Sequence, residues 1–171
     1  MHAGEKVLNS FFASVSARTA GFNSFSAADM TGLTKLLTIV LMFIGAAPGS
    51  TGGGVKVTTV YVLFATVGSA LTGKTDTVIR RRRVDKSVVY KSLAIVTVAI
   101  AAVVVCTATI VFTSDMTGLS EIDAMFESVS AFATVGVSVG VTESASVLSR
   151  FALILAMFLG RVGPMSLALS M

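Results

Sequence analysis

Charge, cysteine and histidine are all scarce in this 171-residue chain. Only 13% of its residues are charged while 54% are hydrophobic, and the mean hydropathy is +0.88. Soluble domains carry about 25% charged residues, so too little charge remains here to cover a soluble surface. An ordinary cytosolic enzyme is disfavoured on that ground. The single cysteine, Cys106, can close no disulfide within the chain and sits in an apolar run, where it reads as a small hydrophobe. The one histidine, His2, is a terminal bystander, and no cluster of His or carboxylates offers a metalloenzyme centre. Basic residues are missing altogether between Thr113 and Ser149. That stretch holds five acids instead: Asp115, Glu121, Asp123, Glu127 and Glu143.

The basic residues that are present are concentrated. Lys74, Arg80, Arg81, Arg82, Arg83 and Lys86 lie together against only Asp76 and Asp85, so this segment accounts for the whole net charge of +4. A short basic loop between apolar stretches marks a cytoplasmic connection and argues against nucleic acid as the partner; anionic lipid headgroups of the membrane fit the same charge. From there Ser92 to Phe112 runs 21 residues without a charge, the length of a helix that crosses a hydrocarbon core of about 30 Å. Lys86, Tyr90 and Lys91 anchor its inner end. The acidic stretch that follows is then external, where it would attract cations.

A second apolar stretch, Leu33 to Thr72, is too long for one span. Its interruption is Gly45-Ala-Ala-Pro-Gly-Ser-Thr-Gly-Gly-Gly54, in which five Gly and one Pro among ten residues make helix costly. Irregular backbone at membrane depth survives only when buried in protein or lining a water-filled path, so a broken helix is itself a pointer to function. A last apolar segment, Ser149 to Met171, carries Arg161 near its middle. A charge there is expected to face the bundle interior with a partner, the alternative being a side chain that snorkels to the interface. Met1 to Asp29 holds neither a signal peptide nor a span, although the topology puts it outside. The chain is therefore expected to belong to a longer protein with at least one preceding span.

The two external stretches repeat one another. Phe12-Ala-Ser-Val-Ser-Ala17 matches Phe126-Glu-Ser-Val-Ser-Ala131 at five of six positions, and Thr19-Ala-Gly21 then matches Thr134-Val-Gly136 after a one-residue gap. Each copy reads as a half-helix, a Thr-x-Gly turn and an apolar helix. A half-helix ending in mid-membrane aims the negative end of its dipole at the centre, and the turn after it can replace the hydration shell of a cation with carbonyls, as the Thr-Val-Gly loops of potassium channels do. Thr19, Ala20, Gly21 and Phe22, with Ala133, Thr134, Val135, Gly136 and Val137, are the expected selectivity filter. The backbone of Thr19, Ala20, Gly21, Thr134, Val135 and Gly136 would hold K+. Phe22 and Val137 stand where the channel motif has Tyr, and neither copy carries its second Gly, so sodium permeation stays open. The bland alternative is a pair of structural turns.

Ser16-Ala-Arg-Thr-Ala-Gly-Phe-Asn23, Gly45 to Lys56, Phe126 to Gly136 and Gly160-Arg-Val-Gly-Pro164 together resemble the Trk/Ktr/HKT superfamily of potassium transporters, and most closely the membrane subunit of bacterial Ktr and Trk systems. The resemblance implies an all-α membrane protein of potassium-channel-like span/pore-loop/span repeats with a broken transmembrane helix, located in the cell membrane as a multi-pass protein and not an enzyme. On that pattern residues 1–73 are the pore loop and broken second span of a third repeat, 74–91 a cytoplasmic basic loop, and 92–171 a fourth repeat. It implies that Gly49, Ser50, Thr51, Gly52, Gly53 and Gly54 form a gating loop below the filter, which Arg161 contacts; Lys56 either holds that loop or reaches the cytoplasm. The loop is no nucleotide site, because Val55 separates Gly54 from Lys56 and the phosphate-binding pattern needs them contiguous. The resemblance further implies a homodimer, a cytoplasmic RCK-type nucleotide-binding regulatory subunit as partner, and K+ or Na+ as the transported ion with no bound cofactor. A non-conducting fragment or scaffold piece is the competing expectation.

Overall fold

The computed structural model describes residues 3–23, 26–50, 52–73, 76–79, 82–113, 118 and 120–163. Helix α1 spans Ala3–Ser16. After a single 3-10 turn at Ala27–Asp29, α2 runs over Gly32–Phe43 with Thr31 as its N-cap. The hydroxyl of Thr31 accepts from the Thr34 N–H at 3.4 Å, which satisfies one of the orphan donors of the first turn. The glycine-rich stretch then ends the helix, and α3 resumes at Val57–Leu71. The ends of the loop are drawn together: Ile44 and Val55 form a parallel bridge, and Gly45 N–H donates to the Val55 carbonyl at 2.9 Å. At 1.5 Å per residue α2 and α3 are about 18 and 22 Å long, each short of a hydrocarbon core of about 30 Å.

A small antiparallel hairpin follows, β1 (Val78–Ile79) with β2 (Arg82–Arg83). The basic segment is thus partly strand, and Arg83 pairs with Asp76 at 2.8 Å. Lys74, Arg80 and Arg81 lie outside the described residues. Helix α4 covers Lys86–Thr113, starting six residues before the apolar run itself. Among the described residues it is the one helix long and apolar enough to cross a membrane. Ser92, Ala99, Val103, Cys106 and Ile110 bury one face at helical spacing, while Val98, Val104 and Val105 stand exposed on the others. A helix apolar on all sides but buried on one is what a span at the edge of a bundle requires.

Helix α5 (Glu121–Phe132) is the centre of the packing, with α2, α4 and α7 around it. Asp123 accepts from the Ser120 N–H at 2.9 Å and its hydroxyl at 3.1 Å, a local cap at the positive end of the helix. Phe126, Val129 and Phe132 are fully or almost fully buried. A single helical turn, α6 (Val141–Ser144), leads to α7 (Val147–Val162), which Ser146 caps. Thr113 at the end of α4 bonds Ser149 at the start of α7 at 2.7 Å. Residues 164–171, including Pro164 of the last motif, lie outside the described residues.

Candidate functional site

The two copies of the repeat fold alike. Ser16 closes α1, and its hydroxyl donates to the Phe22 carbonyl; Ser130, two residues before the end of α5, donates to the Val137 carbonyl at 2.6 Å. Gly21 N–H reaches the Ser16 carbonyl at 3.2 Å, and Val135 N–H the Ser130 carbonyl at 2.9 Å. Between these bonds Thr19 and Thr134 both adopt left-handed backbone, with φ of 66° and 55°, followed by Gly21 and Gly136 at 73° and 87°. An L-residue pays about 1–2 kcal/mol for that conformation. Both threonines hold it inside loops closed by the serine and backbone hydrogen bonds described above.

The turns lie against each other and against the glycine-rich loop. A Cβ placed on Gly21 would sit 2.2 Å from the Val135 carbonyl oxygen. Gly53 N–H donates to Thr134 Oγ1 at 2.9 Å, and a Cβ on Gly52 would come 2.5 Å from Thr19 Oγ1. Gly54 packs on Ala133. One run of three glycines therefore touches the base of both turns. Lys56 folds back onto the same loop, where Nζ donates to the carbonyls of Gly52 and Ser50. Gly49 and Ser50 are exposed, with Ser50 Oγ bonded to the Ala47 carbonyl at 2.7 Å. Thr51 lies outside the described residues. Ala20 and Phe22 are exposed, and Ala133, Val135 and Val137 are buried. Arg161, in the last turn of α7, lines a cavity shared with Thr134, Gly136 and Glu127.

The residue most plainly missed by the sequence reading is Glu127. Its buried carboxyl accepts from Ser138 Oγ at 2.7 Å, from the Val139 N–H at 3.1 Å, and from Thr142 Oγ1. It ties the segment leaving the second turn to the middle of α5. The signal was present: Glu127 opposite Ala13 is the one mismatch in the six-residue repeat. Lys35 on α2 was missed too. It meets Asp123 at 2.6 Å with both side chains nearly buried. Burial pushes the Asp123 carboxyl up, but the Lys35 ammonium and the Ser120 bonds outweigh it and leave the group below its ordinary value.

The chemistry on offer at the two turns is mainly that of backbone groups. Among the described residues no group of three or more His, Cys, Asp or Glu could hold a metal ion. What is offered instead is backbone oxygen and the end of a helix: α5 stops at Phe132 and the turn follows at once, so the partial negative charge of about −0.5 at its C-terminus falls beside residues 133–136. Gly160 brings α7 against this end. A Cβ there would meet the Phe132 carbonyl oxygen at 1.6 Å.

Paired half-helices and turns above a broken helix define a helical membrane protein of the pore-loop class. The chain belongs to the TrkH family, described as cation transport protein, whose profile matches residues 1–171. It is 43% identical over 96% of its length to Ktr system potassium uptake protein B of Vibrio alginolyticus, and 36% identical over 99% to the protein of that name from Bacillus subtilis. It is 34% identical over 98% of its length to the potassium/sodium uptake protein NtpJ of Enterococcus hirae. The chain spans 36%, 38% and 37% of these three proteins. In fold it is similar to the potassium transporter TrkH from Vibrio parahaemolyticus, with a TM-score of 0.71 at 22% identity over 95% of this chain and 36% of that one.

Proposed function

We propose that this chain forms part of the pathway of a monovalent-cation uptake protein, with K+ as its principal ion. The observation that carries the reading is the seat of Gly52–Gly54 against the threonines of both turns. Carbonyls of Thr19, Ala20 and Gly21 and of Thr134, Val135 and Gly136 replace water around the ion, supported by the two half-helix ends. Directly beneath, the loop of residues 49–54, held by Lys56, blocks passage until it is displaced, and Arg161 stabilises one of its positions. The relatives that bear potassium uptake in their names support the choice of ion. The potassium/sodium uptake protein among them favours a second reading, in which Na+ also passes.

The same reading gives a multi-pass protein of the cell membrane that acts as a homodimer with an RCK-type nucleotide-binding ring on its cytoplasmic face. The test is rescue of a bacterium lacking its own potassium uptake systems by the full-length protein. Growth at micromolar K+ is expected, and Gly136→Ser is expected to lower the preference for K+ over Na+. Normal membrane expression without rescue would count against transport; rescue with an unchanged ion preference in Gly136→Ser would count against the filter alone.

A further inference from the structure

The bonds that hold the glycine-rich loop differ in what they join. Lys56 Nζ to the carbonyls of Gly52 and Ser50, and Ser50 Oγ to the Ala47 carbonyl, stay within the segment between α2 and α3. Gly45 N–H to the Val55 carbonyl closes the neck of that segment. Bonds of this kind can travel with the loop. Gly53 N–H donates instead to Thr134 Oγ1 at 2.9 Å, across 81 positions of the chain. Moving the loop away from the second turn breaks that bond.

Gly53 is confined on two sides. A Cβ there would meet Thr134 Oγ1 at 2.6 Å and Cγ2 at 2.7 Å, and its carbonyl oxygen lies 2.2 Å from where Gly45 would carry a Cβ. Gly49 and Gly54 have left-handed backbone, with φ of 81° and 76°, and Gly53 does not. Glycine at 53 therefore answers a need for space against one threonine side chain, not for an unusual angle. Gly53 is also buried, so its N–H, once parted from Thr134, stays unsatisfied until the loop moves out to water. Losing the acceptor favours the displaced loop. The first turn is different: a Cβ on Gly52 would come 2.5 Å from Thr19 Oγ1, but among the described residues no hydrogen bond joins Thr19 to the loop.

We propose that Thr134 is the latch of the loop: its hydroxyl oxygen holds Gly53 in the seated position, and the loop leaves only by giving up that bond. Thr134 then has two tasks, its carbonyl serving the filter and its side chain positioning the loop. The second turn, and not the first, sets where the loop sits. The consequence for passage rests on the proposed function; the hold on the loop does not.

The test follows backbone hydrogen exchange of Gly52, Gly53 and Gly54 in the full-length protein in lipid nanodiscs, with exchange in α4 as the reference for an intact fold. Thr134→Ala and Thr134→Ser differ by Oγ alone. Thr134→Ala is expected to speed exchange of the loop about tenfold, while Thr134→Ser and Thr19→Ala stay within about twofold of the parent. Gly53→Ala should also speed exchange, because its methyl group meets the Thr134 side chain. In Gly53→Ala/Thr134→Ala that obstacle is gone, so the rise should be smaller than the product of the two single rises. Leak of K+ into vesicles holding the same variants should follow the order of exchange. Unchanged exchange in Thr134→Ala would overturn the proposal, as would Thr134→Ser or Thr19→Ala exchanging as fast as Thr134→Ala. A double variant whose rise equals the product would overturn it too. The expected pattern of exchange in a protein that moves no K+ would keep the latch and discard only the transport reading.

Discussion

At the scale of single residues, the two turns separate backbone strain from contact. Gly21 and Gly136 share a left-handed backbone, but only Gly21 has a neighbour, the Val135 carbonyl, within reach of an added Cβ. Alanine at Gly136 should therefore cost only the conformational penalty of about 1–2 kcal/mol. Alanine at Gly21 carries the same penalty and must also push the two turns apart. Thermal unfolding of the purified full-length protein should show a clearly larger loss for Gly21→Ala, and equal losses would mean that the turns do not touch. Glu127 supplies the matching case for polar groups. The first copy already has alanine at the equivalent position, Ala13, so Glu127→Ala should leave the helix intact. It strands the buried Val139 N–H, at a cost of about 1–3 kcal/mol, and frees the exit segment of the second turn. Competition uptake should show a weaker preference for K+ over Na+ in Glu127→Ala, with much of it retained in Glu127→Gln. A stability loss with unchanged preference would limit Glu127 to folding.

At the scale of elements, the Lys35–Asp123 pair is the charged link between α2 and α5. Because the folded Asp123 carboxyl lies below its ordinary value, the pair contributes its full stability above the unfolded carboxyl value near 3.9. That contribution is lost as the pH falls through the lower folded value. Lys35→Met leaves burial opposed only by Ser120, so the folded carboxyl moves up toward or past its unfolded value and the loss of stability on acidification should shrink or reverse. Removing one partner of a buried pair leaves an uncompensated charge, and Lys35→Met/Asp123→Leu should accordingly be more stable than Lys35→Met alone. Denaturation midpoints at pH 7 and pH 4 would measure both effects, and identical single and double variants would refute the coupling. This pair also marks where sequence reading stops. The helix break was legible because Gly45 to Gly54 is written in residues that refuse helix, and the two turns because Ser-Val-Ser-Ala precedes each. A contact across 88 positions has no local signature. Neither has the hairpin at Val78–Arg83, where a basic loop and a strand pair have the same composition, nor the fold of Lys56 back onto Gly52.

At the scale of the molecule, the repeat measures what surrounds each copy. In the second copy Phe126 is 0% and Val129 1% exposed, enclosed by α4, α2 and α7. Their equivalents in the first copy, Phe12 and Val15, are 39% and 51% exposed. The same sequence, Phe-x-Ser-Val-Ser-Ala, is thus core in one place and surface in the other. Two phenylalanine-and-valine faces of one pattern cannot both be at their preferred burial, and the relatives carry well over half of their length beyond the part matched here. We expect additional helices of the full-length protein to cover α1 as α2, α4 and α7 cover α5. Val15→Cys tests this directly, since the one native cysteine of these residues, Cys106, is itself buried. In the native full-length protein Val15→Cys should resist a small membrane-permeant maleimide and react fully once denatured. A matching cysteine at Leu155, 61% exposed on the outer face of α7, should react in both states. Rapid labelling of Val15→Cys in the native protein would leave α1 at the surface, and the two turns would then differ in setting as well as in sequence.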